Sequence, residues 1–122
     1  MNIEQYRDFC LAKKGVTESF PFDQNTLVFK VSGKMFALTS LKDWEEGIQF
    51  INLKCNPEYA IELRIMYDSI DPGYHMSKKH WNSVRIHQGE LSLQLIHELI
   101  NHSYDLVVKS LTKKEKEALL LL

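Results

Sequence analysis

The sequence predicts an α+β fold: one antiparallel sheet with helices packed on one face, in the order α-β-β-β-α-β-β-α with a short extra helix at the end. Three observations carry this. A length of 122 residues fits one hydrophobic core and leaves no room for a second, so residues 1–122 read as a single domain. Strand-like segments come in runs with helices between them, and not in the strict βαβα alternation that builds a parallel sheet. A two-residue loop, Ser32-Gly33, joins two apolar segments, a connection that only antiparallel neighbours can use.

The elements follow in order. Asn2 and Gln5 have the spacing of a capping box, and Ile3, Tyr6 and Cys10 make the apolar stripe of a first helix that ends by Gly15. "VTESFPFDQNT" breaks any period with Pro21 and reads as a connection. "LVFKV" and "KMFAL" form the hairpin. Pairing outward from its loop sets Val31 opposite Lys34 and Phe29 opposite Phe36, so Leu27, Phe29, Phe36 and Leu38 should face the helices while Lys30 and Met35 face away. "DWEEG" reads as an acidic turn, and "IQFINLK", apolar on both faces, as a central strand.

Asn56-Pro57 is an N-cap followed by proline at the first helical position, and opens a second helix to about Tyr67 along Tyr59, Leu63 and Met66. Asp71-Pro72-Gly73 reads as a type II turn, which places Gly73 at positive φ. "GYHM" and "NSVRIH" read as short strands joined by "SKKHW". From Ser92, the residues Leu93, Ile96, Ile100, Tyr104 and Val107 keep a helical period, and Thr112 with Glu115 caps a short last helix.

Composition excludes several classes. With 44% hydrophobic and 25% charged residues the chain is neither disordered nor fibrous. No signal-like apolar run opens it and no run approaches the ~18 residues of a membrane span, so a cytoplasmic protein with no membrane role is expected. Cys10 and Cys55 fit buried reduced thiols better than a disulfide. A monomer is favoured. Among the five histidines, no HxxxH or HExxH pattern supports a metal site, and no phosphate-cradling glycine motif, nucleophile motif or cofactor signature is present. No catalytic residue is assigned, and an enzyme is not expected.

Charge distribution is more informative than the net charge of -1. Residues 24–42 and 72–89 contain no acid, yet hold Lys30, Lys34, Lys42, Lys78, Lys79 and Arg85. If these tracts meet in space they form a positive face able to steer an anionic partner, although lysines also commonly decorate sheet edges. Trp81 and Tyr74 lie among these bases, and could stack on nucleobases or plug a small second core under the loop. The physics of a large apolar ring favours the plug: Trp81 and His80 structural, with Lys78, Lys79 and Arg85 carrying the charge contacts.

As a whole the sequence resembles the MmcQ/YjbR family of small bacterial proteins. The segments that carry the resemblance are "FPF" (20–22), "VFKVSGKMFAL" (28–38), "NLKCNPEYAIELR" (52–64), "IDPGYHMSKKHWNSV" (70–84) and "LINHSYDLVVKSL" (99–111). The signature is Pro72, Gly73, Tyr74, His75, Met76, His80, Trp81 and Asn82. The resemblance implies a secretion-chaperone-like α+β fold, and DNA binding by a sheet with protruding hairpins, the double-wing arrangement. On that implication Lys30, Lys34, Lys78, Lys79 and Arg85 would contact phosphate, and Tyr74 or Trp81 a sugar or base. The rival expectation is a protein-interaction or chaperone-like adaptor that uses a sheet edge and has no nucleic-acid role.

Overall fold

The computed structural model describes residues 1–122. Six strands form one sheet in the order β1-β2-β3-β4-β6-β5, with antiparallel pairing throughout. The chain runs α1 (Ile3–Leu11), β1 (Val16–Ser19), β2 (Thr26–Val31), β3 (Lys34–Ser40), α2 (Leu41–Glu45), β4 (Phe50–Lys54), α3 (Pro57–Met66), β5 (Ile70–Pro72), β6 (Trp81–Arg85), α4 (Leu93–Ser110) and α5 (Lys113–Leu120). Both expected capping boxes are formed, at Asn2 and at Thr112, and Asn56 caps α3 through its side chain. No helix is long and apolar enough to cross a membrane.

Period-two alternation gives the sheet two faces. Leu27, Phe29 and Val31 of β2, Ile51 and Leu53 of β4, and Val84 of β6 join Tyr6 and Cys10 of α1, Ala60 and Leu63 of α3, and Ile96, Leu99, Ile100 and Val107 of α4 in one core. All helices that contribute to this core lie on that face. Cys10 and Cys55 are free and buried. Burial pushes the Cys10 thiol up to about 12 and the Cys55 thiol to about 11, so both stay protonated.

Several sequence expectations need correcting. The connection after α1 contains a strand: Val16–Ser19 pairs with Val31–Val28 at the sheet edge. The acidic turn is the short helix α2, with Ser40 as its N-cap and Trp44 donating from Nε1 to Thr39. The Ser32-Gly33 loop has both residues at positive φ, 49° and 77°, as a type I′ hairpin turn requires, and Val31 does face Lys34. Beyond that the register shifts by a β-bulge, so Phe29 pairs with Ala37 and not with Phe36. A bulge places two neighbouring residues on one side. Phe36 and Ala37 therefore both enter the core, and Leu38 turns to the opposite face beside Val28.

The 70–80 segment differs most. Ile70–Pro72 is the strand, pairing with β6, whereas "GYHM" is a turn. Gly73 is not at positive φ; the left-handed residue is His75, at φ 57°. The expected turn is thus not at Pro72-Gly73: the chain reverses two residues later, through Gly73–Met76, with the Met76 N–H donating to the Gly73 carbonyl at 3.3 Å and positive φ at the third residue, His75.

One contact between helices and sheet carries a pH prediction. His102 of α4 accepts the Asn56 backbone N–H on Nε2 at 3.2 Å, at the cap of α3, and burial holds its pKa below the ordinary 6.5. The unfolded chain therefore binds a proton here at a higher pH than the folded one, and stability must fall as pH drops below about 6.5. Urea unfolding at pH 7 and pH 5 should show this loss, and a His102→Gln variant should flatten it. An equal slope in the variant would contradict the assignment.

Candidate functional site

The face away from the helices is only partly free. Val28, Leu38 and Trp81 form a second small cluster there, with Met35 and Met76 packed against it. Trp81 is 8% exposed. Its ring is therefore a plug under the 73–80 loop and offers little surface to a stacking base, while its expected neighbour Tyr74 lies elsewhere.

Hydrogen bonds pin the loop from both sides. From the helical side Arg64 donates through Nε to Asn82 Oδ1 at 2.7 Å and through its guanidinium to the Lys78 and Trp81 carbonyls. From the open face Ser83 Oγ accepts the Tyr74 N–H at 2.9 Å and donates to Asn52 Oδ1, and Asn52 Nδ2 donates to the Tyr74 carbonyl at 3.3 Å. Gly73 lies close against Trp81 and Met76. Signature residues Gly73, Met76, Trp81 and Asn82 are thus parts of a scaffold. His80 is exposed and takes part only through its backbone, whose carbonyl accepts from Cys55 N–H. Pro72 ends β5, exposed.

The basic residues separate into three environments. Arg85 is held in an ion pair with Asp71 at 2.8 Å and donates to the Asp68 carbonyl, so its charge is already answered. Lys34 stands at the hairpin tip beside α5. There the Glu115 carboxyl is held below its ordinary range by hydrogen bonds from Thr112, with Lys34 as a smaller contributor. Lys30 lies on the open face opposite Met35, and Lys78 and Lys79 are exposed on the loop, Lys78 donating to the Gly73 carbonyl at 3.3 Å.

Lys54 was missed. It pairs with Trp81 across β4 and β6, and alternation from the inward Ile51 and Leu53 sets it on the open face with Asn52. The signal was present in "IQFINLK", but lay outside the acid-free tracts. The open face thus has a basic end with Lys30, Lys54, Lys78 and Lys79. Neither salt bridge of the structure uses any of these four lysines.

At the other end of the same face, loop 20–25 and the Tyr74-His75 turn enclose a recess of about 430 Å³. Tyr74, 60% exposed, stands edge-on to Phe50 with ring centroids 6.2 Å apart, and Phe22, 63% exposed, lines the same recess. His75 lies against Tyr74, centroids 4.0 Å apart. No three His, Cys, Asp or Glu side chains converge as metal ligands. Three histidines are occupied within the fold: His97 stacks on Phe9, His102 caps α3 and His87 meets Gln49.

A single antiparallel sheet, cored by helices on one face and carrying a pinned loop on the other, defines a class of small α+β domain that offers one sheet face as a surface. Within that class the chain belongs to the YjbR family, whose family model matches residues 11–106. It is 44% identical over 98 residues to YbdF of Escherichia coli O157:H7, covering 80% of this chain and 77% of that protein. It is 30% identical over 119 residues to YjbR of Escherichia coli K12, covering 98% of each. Among solved structures it is similar to Deinococcus radiodurans DR2400, a DUF419 domain, with a TM-score of 0.86 and 38% identity over 97% of this chain and 87% of that one. A Pseudomonas syringae protein matches with a TM-score of 0.71 and 32% identity, over 87% of this chain and 98% of its own.

Proposed function

We propose that this protein is a non-enzymatic nucleic-acid-binding module, and that it meets the phosphate backbone with the basic end of its open sheet face. The observation that carries the reading is the position of Lys30, Lys54, Lys78 and Lys79. All four lie on or above one face, free of ion pairs, in a molecule whose arginines Arg7 and Arg85 are bound to acids. The sheet and the loop beneath them are rigidly pinned, so phosphate contacts form without first ordering a segment.

The net charge of -1 sets the expected strength. A few phosphate contacts with no long-range positive field give salt-sensitive binding, on the order of 10⁻⁴ to 10⁻⁶ M, typical of non-specific complexes. Fluorescence anisotropy with a labelled generic duplex at low salt tests this. Wild-type protein should bind in that range, and a Lys30→Ala, Lys54→Ala, Lys78→Ala, Lys79→Ala variant should bind far more weakly while melting at nearly the wild-type temperature. No binding by wild type at low salt rejects the reading.

A further inference from the structure

The recess between loop 20–25 and the Tyr74-His75 turn does not belong to the basic end of the face, and its chemistry is opposite in sign. No lysine or arginine lines it. Its walls include the rings of Phe22, Phe50 and Tyr74, and its floor includes Leu38 and Met76. Its charged group is Asp43, whose carboxylate makes no hydrogen bond or ion pair in the structure; only its backbone is used, at the start of α2. Asp43, Phe50 and Tyr74 also line an adjoining groove with Arg85, whose guanidinium is paired with Asp71 at 2.8 Å. His75 also lines the recess, with its ring against that of Tyr74.

Electron-rich rings and a carboxylate without a hydrogen bond or ion pair, in a recess lined by no lysine or arginine, are complementary to positive charge. A cation over an aromatic face is attracted by the ring quadrupole, more strongly as water is excluded, and an anion is repelled by the same arrangement. The volume of about 430 Å³ exceeds what a bare ammonium needs and falls in the range of small-molecule sites. The apolar floor requires an apolar body on the ligand. We propose that this recess is a binding site for a small organic cation that carries an apolar or aromatic body, with Asp43 as the counter-charge and Phe22, Phe50 and Tyr74 as the cage.

Two features hold the site ready. Tyr74 is fixed through its backbone by Asn52 and Ser83, and its edge-on contact with Phe50, ring planes at 89°, holds the two rings in one arrangement. Phe22 lies on a loop ordered at its far end by Asp23, whose carboxylate accepts from the Asn25 and Thr26 N–H groups. The site is independent of the lysines, so it stands or falls apart from nucleic-acid binding.

The test is a charge series on one frame: benzylammonium, benzyl alcohol and benzoate, titrated into the full chain and followed by amide chemical shifts and calorimetry. Benzylammonium should bind most tightly, with shifts centred on Phe22, Asp43, Tyr74 and His75; benzyl alcohol should bind more weakly and benzoate not measurably. An Asp43→Asn variant keeps the backbone contact to Ser40 and should retain its melting temperature, yet lose roughly tenfold or more in benzylammonium affinity, as removal of a charge-assisted contact does. The four-lysine variant should bind benzylammonium as wild type does. Benzoate binding as well as benzylammonium, shifts centred elsewhere, an unaffected Asp43→Asn variant, or no binding by any of the three at millimolar concentration would each overturn the assignment.

Discussion

A Trp81→Ala variant should lose about 3 kcal/mol of unfolding free energy, the scale of a large aromatic truncated in a packed site. The ring is 8% exposed and holds together Val28, Leu38, Met35 and Met76 on the face that the helices do not cover. The main core lies on the other side of the sheet and cannot contribute side chains to that space. The loss should be local as well as global. Met76 loses its support, so amide exchange should speed up in residues 73–80 before it does in α4. A urea titration gives the magnitude, and a change under about 0.5 kcal/mol, the scale of an ordinary surface substitution, would show that Trp81 is no plug.

The second large effect is expected at Gly73. A Cβ placed there would lie 2.7 Å from Trp81 Cβ, 3.0 Å from Met76 Cβ and 3.0 Å from the Trp81 carbonyl oxygen. These are not flexible side-chain ends, and the Gly73 N–H already donates to that same carbonyl at 2.8 Å. Gly73→Ala should therefore force the β5–β6 pairing apart, at a cost of about 1 to 3 kcal/mol typical of overpacking. Gly73→Asn separates this account from a left-handed turn. Asparagine tolerates positive φ, so a type II turn would accept it in part, whereas a close approach refuses it as firmly as alanine. The left-handed position is His75, where His75→Asn should be nearly neutral.

What the sequence made legible, and what it hid, follows from the range of each interaction. Capping boxes at Asn2 and Thr112, the Asn56-Pro57 helix start, the Ser32-Gly33 hairpin and the long period of α4 are all set by residues within a few positions of one another, and all are present in the structure. The family signature was equally plain. β1 was hidden because Thr17, Glu18 and Ser19 carry no apolar alternation; its inward Glu18 is satisfied instead by Arg7 of α1. The bulge at Phe36 was hidden for a different reason. "KMFAL" fits a regular strand equally well, and only packing against the helices decides that Phe36 and Ala37 share a face and Leu38 does not.

Gly73 beside Pro72 mimicked a turn pair, while its real constraint comes from Trp81 across the sheet. The candidate sites depended on such distant pairings even more. Arg85 looked free until Asp71 was found beside it, Lys54 joined the basic face only once β4 and β6 were paired, and the recess appears where Phe22 meets Tyr74. Lys30 lies on the face away from the helices, as strand alternation from the Ser32-Gly33 loop implies, and Lys78 and Lys79 are exposed. Lys34 was read as part of the same face, but stands by Glu115 of α5.

The central claim is that the basic end of the open face binds phosphate while the signature loop beneath it serves as scaffold. Its most direct test is the salt dependence of duplex binding, measured by anisotropy for wild type and for the four-lysine variant at matched folded fraction. Each neutralised phosphate contributes about -0.9 to the slope of log K against log salt, so four lysines give roughly -3 to -4, or on the order of a hundredfold loss between about 50 and 200 mM salt. The account predicts that slope for wild type and a nearly flat line for the variant. Wild-type binding that is insensitive to salt, or a variant that keeps the wild-type slope, would contradict it.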